Sequence, residues 1–213
     1  MKLNRRDTLI LAASATLATS LGLGSVQAQE GTTKDVAALA NVAIPDIPLG
    51  AQDAKVTVIE YASPTCPHCA RFHTDVYPVL KAEYVETGKV KFVLRPFIRN
   101  LQDAVVFLLA YAAGEEKYHD VLDTYFKTQA SWGMAEKQRT ALLDVAMQLG
   151  FTEEAFDAAL ADEELFAKLQ EMQKQASEEF ALTGTPTFYV NGKQLTGEKT
   201  LEELKAAIDP LLS

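Results

Sequence analysis

All of the cysteine in this chain, two residues among 213, falls in the single run Cys66-Pro67-His68-Cys69. A cross-link between residues three apart closes so short a loop that the chain-entropy model assigns it only ~2 kcal/mol, the least of any spacing. A pair kept for stability belongs further apart, so the motif reads as reactive chemistry. Tetrahedral zinc needs four ligands, and Cys66, Cys69 and the nearby His73 supply three with no second cysteine pair. Covalent haem attachment requires histidine directly after the second cysteine, where this chain has Ala70.

The surroundings of the motif specify a strand, a helix and a second strand. Residues 55–61 (KVTVIEY) have the β-branched and aromatic content of a strand, and Ala62-Ser63-Pro64-Thr65 breaks it. Beyond Ala70 the apolar residues Phe72, Val76, Val79, Leu80 and Tyr84 recur at helical steps until Thr87-Gly88, and residues 90–94 form the next strand. Cys66 then lies at the N-terminus of the helix, with Pro67 suited to the first turn because it needs no amide partner there. Free amides and the helix dipole stabilise negative charge at that end, and thiolate is the form of cysteine that attacks disulfides. Cys66 is therefore the expected nucleophile, and Cys69, one turn further in, can reach the same sulfur. His68 between them can offer a hydrogen bond or positive charge to the Cys66 thiolate.

The remainder alternates helix with loop and closes on a hairpin. Residues 102–111, 115–127 and 139–149 carry helical stripes, and Leu165, Leu169, Met172, Ala176 and Phe180 make one long apolar ridge, all read as core. After Gly184, strands over 187–190 and 193–196 are joined through Asn191-Gly192, a strong hairpin signal. Thr200 and Glu203 form a capping box for a last helix expected to end near Asp209-Pro210. Residues 29–54, with Pro45, Pro48 and Gly50, read as a largely extended lead-in with an edge strand around 42–49. His73 and His119 are expected on the surface. Arg95, Pro96, Phe97 and Arg99 close the third strand, and spacing alone does not place them beside the cysteines.

The N-terminus reads as an export signal cleaved after Ala28. Lys2, Arg5 and Arg6 precede an uncharged stretch from 8 to 24 that is too short and polar for a membrane span, and Val26-Gln27-Ala28 supplies a small-x-small cleavage site. Asn4-Arg5-Arg6-Asp7-Thr8-Leu9-Ile10 is similar to a twin-arginine signal with Thr8 in place of Phe, so either export route fits. The whole chain has 20 basic against 29 acidic residues and no dense basic cluster, which argues against nucleic acid as a partner.

The run Val58-Ile59-Glu60-Tyr61 leading to Cys66-Pro67-His68-Cys69, with Thr185-Pro186-Thr187-Phe188 much later, resembles the DsbA-type thiol:disulfide oxidoreductases of the thioredoxin superfamily. The resemblance implies an α/β thioredoxin-like fold with a helical domain inserted between its βαβ and ββα halves. On that reading 1–28 is the export signal, 29–54 the lead-in, 55–99 and 183–213 the thioredoxin-like domain, and 100–182 the insertion. It implies that Cys66 attacks, that Cys69 resolves, and that Pro67 and His68 set the redox balance. It further implies a cis bond at Pro186, substrate pairing through the backbone of Thr185, and proton transfer at the inner cysteine assisted by Glu60.

The activity so implied is that of a periplasmic enzyme that passes its disulfide to unfolded or newly exported client proteins, without cofactor or metal. A DsbB-like membrane quinone reductase would reoxidise it. An isomerase or reductase kept reduced by an alternative thiol donor shares the fold, and Thr185 before Pro186 occurs in both kinds. A chaperone binding soft metal through both thiolates is the reading from another class, and four Met with no Met-rich or His-rich stretch speak against it.

Overall fold

The computed structural model describes residues 32–213. The expected export signal lies outside the described residues. Two seven-residue runs rich in β-branched and aromatic side chains form the parallel centre of a five-stranded sheet, β2 (Val56–Ala62) and β3 (Val90–Pro96). β1 (Pro48–Leu49) adds antiparallel to the outer edge of β3, and the hairpin of β4 (Thr187–Val190) and β5 (Lys193–Thr196) adds antiparallel to β2, giving the order β1-β3-β2-β4-β5. The hairpin turn is the expected one. Asn191 (φ 43°) and Gly192 (φ 88°) both occupy the left-handed region, and a Cβ at Gly192 would sit 2.4 Å from the Lys34 carbonyl oxygen.

Period-two alternation along β2 decides what lies beneath the motif. Val58, Glu60 and Ala62 share one face, while Ile59 and Tyr61 share the other. Val58 and Ala62 join the main core, with Phe72, Leu80, Phe92, Leu109 and Phe188. Ile59 and Tyr61 pack with Leu39, Val93, Phe180 and Tyr189 in a second, smaller core. Glu60 is thus carried into the main core by the pleat of its strand and is fully buried there.

Between β2 and β3 the chain runs through α2 (Pro67–Arg71), a π-helical turn (Phe72–Val76), α3 (Tyr77–Leu80) and a second π-helical turn (Lys81–Val85). The two wide turns shift the register of the apolar face relative to an ideal helix. Val79, expected in the ridge, is 39% exposed as a result, while Tyr77 and His73 are buried. Seven helical segments separate β3 from the hairpin or follow it. They are α4 (Leu101–Ala112), α5 (Glu115–Lys127), α6 (Gln129–Trp132), α7 (Gln138–Gln148), α8 (Glu153–Leu160), α9 (Glu163–Glu178) and α10 (Leu201–Leu212).

Four of these seven helices were expected within a residue or two. The short α6 and α8 were not, because four and eight residues show too little periodicity. α10 has the expected Thr200–Glu203 capping box but runs past Asp209 with Pro210 inside its last turn, where little helix remains to disrupt. The lead-in contributes the expected edge strand as β1. It also contains an unexpected five-residue helix, α1 (Val36–Ala40), capped by the Asp35 carboxylate.

The lead-in is fastened by a buried cation. Arg95 on β3, 1% exposed, donates from Nε and Nη2 to the two Asp46 carboxylate oxygens at 2.7 and 2.6 Å and from Nη1 to Tyr61 Oη at 2.9 Å. Removing one partner of a buried pair leaves the other charge uncompensated. Asp46→Ala is expected to destabilise the protein by about 3 kcal/mol, read as a lower urea midpoint, whereas a loss under about 0.5 kcal/mol would show that the pair does not fasten the segment.

Candidate active site

Strand β2 ends where Ser63-Pro64-Thr65 turns the chain, and Cys66 follows as the N-cap of α2 with Pro67 in its first turn. The turn is held by side chains from beyond β3. The fully buried Asp103 accepts from Ser63 Oγ (2.8 Å), Thr65 N (2.8 Å) and Arg99 N (2.9 Å). Arg99 also donates to Ser63 Oγ, and Gln129 Nε2 donates to the carbonyl oxygens of Pro64 and Cys66 at 2.6 and 3.0 Å. The helical block thus satisfies the Thr65 amide and the Pro64 and Cys66 carbonyls, while the Cys66 amide donates to the Ser63 carbonyl oxygen at 2.9 Å.

The two cysteines are free thiols in opposite environments. The Cys69 thiol hydrogen-bonds to Cys66 and is the largest influence lowering Cys66 to about 5. Burial opposes this, and the Thr185 side chain and the Cys69 and His68 backbone amides reinforce it. Burial pushes Cys69 well above the ordinary thiol range, helped by its bond to Cys66 and by the charge of Glu60. As a thiol, Cys66 donates to the Thr185 carbonyl oxygen at 3.3 Å. Thr185 Oγ1 has no hydrogen-bond partner among the described residues and is free to donate once Cys66 ionises. The Thr185–Pro186 bond is cis.

His68 lies elsewhere than its position between the cysteines suggested. Its Nδ1 is 2.7 Å from Glu198 Oε2, and Arg71 grips the same carboxylate from Nε (3.0 Å) and Nη2 (2.6 Å). Arg71 and then His68 hold Glu198 down at about 2. The imidazole is thus bound at the end of the hairpin, and it is the backbone amide of His68 that supports the Cys66 thiolate.

Two histidines expected on the surface are buried. His119, 8% exposed, donates from Nε2 to the Ile47 carbonyl oxygen at 2.7 Å, and burial lowers its pKa. His73, 1% exposed, bridges Glu60 Oε2 at 2.9 Å from Nε2 and Asp123 Oδ1 at 3.0 Å from Nδ1. Burial disfavours its charged form, but Glu60 and Asp123 outweigh burial and raise His73 to about 9. Glu60 is itself raised by burial, with His73 acting in the opposite direction. His73 follows Cys69 by four residues, a spacing that puts both on one helical face, and that was the signal available in the sequence. Asp103, Gln129, Asp123 and Glu198 reach the site from distant segments and carried none.

Comparison with known proteins agrees with this geometry. A family profile described as Thioredoxin matches residues 43–210. The crystal structure of Wolbachia pipientis alpha-DsbA1 superposes with a TM-score of 0.76 at 26% identity, covering 82% of this chain and 95% of that one. This chain is a DsbA-type member of the thioredoxin family. A protein of Rickettsia bellii (strain RML369-C), provisionally named a protein-disulfide oxidoreductase, is 36% identical over 168 residues, 77% of this chain and 63% of its own length. The chain thus spans less than two thirds of that relative. Disulfide bond formation protein D of Bacillus subtilis (strain 168) is 27% identical over 170 residues, 76% of this chain and 74% of that protein. The α/β thioredoxin-like fold expected from the resemblance is the fold these DsbA relatives share.

The low pKa of Cys66 links the redox state of the DsbA-type site to stability. A folded pKa of about 5 lies below the ordinary value of 9.0, so the thiolate stabilises the reduced fold fully above the unfolded pKa. That contribution is about 3 kcal/mol at pH 7 and is lost as pH falls through the folded value. It exceeds the ~2 kcal/mol of so short a disulfide loop. The reduced protein is expected to melt a few degrees above the oxidised one at pH 7, at ~2 to 4 °C per kcal/mol, with the two contributions balancing at about pH 6.5 and the oxidised form the higher-melting by about pH 4. Calorimetry of both forms checks this, and a higher melting temperature for the oxidised form at pH 7 contradicts it.

Proposed function

We propose that this protein is an exported thiol:disulfide oxidase that passes a Cys66–Cys69 disulfide to client proteins. The observation that carries the reading is the opposite displacement of the two thiols, Cys66 held low at a helix N-terminus and Cys69 pushed up by burial. The low pKa of Cys66 makes it a good leaving group from a mixed disulfide with a client, and the stabilised thiolate drives transfer of the disulfide outward. A client thiolate attacks Cys66 to form a mixed disulfide and expels Cys69 sulfur, which takes a proton. A second client thiolate then attacks the client sulfur of the mixed disulfide and expels Cys66 as its stable thiolate. In the reverse direction Cys69 attacks Cys66 and resolves the mixed disulfide. Pro67 opens the helix without an unpaired amide, Thr185 supports Cys66 and offers its backbone to an extended client, and Pro186 aims that backbone at the thiols.

Residues 55–99 and 183–213 form the working unit in this reading, with 100–182 as an insertion whose Asp103 and Gln129 brace the catalytic turn. The clients are unfolded or newly exported chains in the periplasm. The electron acceptor that restores the disulfide is a DsbB-like membrane quinone reductase. Among the described residues no helix is long and apolar enough to cross a membrane, so such a partner would supply the membrane step.

Cys69→Ala is expected to accumulate mixed disulfides with clients, seen as higher bands on non-reducing gels, while Cys66→Ala traps few. Equal trapping by both variants would sink the assignment of roles. Alkylation of the thiols in intact cells separates direction, since an oxidase is found with Cys66–Cys69 oxidised and an isomerase or reductase with both thiols free.

A further inference from the structure

Cys69 must shed a proton from a site with no water access whenever it attacks a mixed disulfide. Its own residue is fully buried, and Glu60, the acid whose charge acts on it, is buried with it. What the family resemblance assigns to Glu60 ends at that acid and does not say how charge leaves the interior. The structure supplies a continuation. Glu60 Oε1 has no hydrogen-bond partner among the described residues, while Oε2 is bonded to His73 Nε2 at 2.9 Å. On the far side of the same ring, Nδ1 is 3.0 Å from Asp123 on α5, whose side chain is 19% exposed. The ring is clamped flat against Phe126, centroids 4.1 Å apart and planes within 7°, a position that also favours the imidazolium.

We propose that Glu60, His73 and Asp123 form a proton path joining Cys69 to solvent, with His73 the relay and Asp123 its outlet. The proposal rests on the oxidoreductase reading and extends it to residues that the resemblance does not assign. Cys69 gives its proton to Glu60 Oε1. The His73 imidazolium releases its Nδ1 proton to Asp123, which passes it to water, so the buried cluster does not accumulate charge. The Cys69 thiolate then attacks Cys66, the Cys66–Cys69 bond forms, the bond from Cys66 to the client breaks, and the client sulfur leaves with the electron pair and takes a proton from water. When Cys69 is expelled in the opposite direction, Glu60 returns the proton and His73 regains one through Asp123.

The groups that face His73 are few. Glu60 comes from β2, Tyr77 from its own helical segment, and Asp123 and His119 from α5. Lys127 lies 3.8 Å from the other Asp123 oxygen and keeps that carboxylate turned to the surface. Among the described residues only the two carboxylates hydrogen-bond to the imidazole nitrogens.

The test isolates the second chemical step. Cys66 of the otherwise intact protein is loaded with glutathione, and the resolution of this mixed disulfide by Cys69 is followed by quenched flow from pH 5.5 to 8.5. With the path intact an internal base takes the proton, and the rate depends weakly on pH. Asp123→Asn and His73→Gln are expected to make the rate rise with hydroxide, approaching tenfold per pH unit. His73→Gln is expected to be slower at pH 7 by roughly 10²-fold, the low end for a positioned acid–base group. Asp123→Glu should restore the weak pH dependence.

A merely structural ion pair would lower the rate by the same factor at every pH, and a profile for Asp123→Asn parallel to wild type overturns the proposal. Asp123 is at the surface, so this variant decides the matter if His73→Gln does not fold. Failure of wild-type Cys66 to accept glutathione would instead overturn the oxidoreductase reading itself.

Discussion

The site depends on a negative sulfur held at the first turn of a helix. Amides at a helix N-terminus have no partners within the helix, and a thiolate at the N-cap receives what they offer. Here the bond from the Cys69 thiol outweighs each backbone contribution, so the two cysteines are one electrostatic unit rather than a nucleophile and a bystander. The same bond that lowers Cys66 raises Cys69. Holding both sulfurs in that relation requires the turn before the helix to be rigid, which is the work of Asp103. A fully buried carboxylate with three donors from the turn and its neighbours is costly to desolvate and correspondingly hard to displace.

The helical block therefore does more than cover the sheet. α4 brings Asp103 to the turn, the start of α6 brings Gln129 to the Pro64 and Cys66 carbonyls, and α5 brings Asp123 to His73. Each of three successive helices contributes one polar side chain to the region around the cysteines. The hairpin contributes from the other side, with Thr185 against Cys66 and Glu198 holding His68 and Arg71. With the His68 ring drawn off to Glu198, the largest supports of the Cys66 thiolate are the Cys69 thiol, the Thr185 side chain and backbone amides.

What was legible in the sequence was local. Cys66 as N-cap, Pro67 in the first turn, Asn191-Gly192 in the hairpin and Thr200 with Glu203 in the capping box each act through neighbours within four residues, and their residue types carry the signal. Glu60 was nameable through its resemblance, and the pleat of β2 explains its burial. His73 is buried against expectation because a lone histidine on a helix is usually solvated, whereas the π-helical turn from Phe72 to Val76 rotates the buried face. Asp103, Gln129, Asp123 and Glu198 meet the site only after the sheet and helical block have assembled, and a polar residue on a helix looks the same in sequence whether it faces water or a catalytic turn.

The central claim, that the folded protein prefers the reduced form because it stabilises the Cys66 thiolate, is tested most directly by the redox equilibrium of the Cys66–Cys69 pair with glutathione. The account predicts a reduction potential at the oxidising end of protein dithiols, above roughly −180 mV, because each unit by which the folded protein depresses the Cys66 pKa favours the reduced state. A potential near −270 mV, the value of a reducing thioredoxin couple, would contradict it.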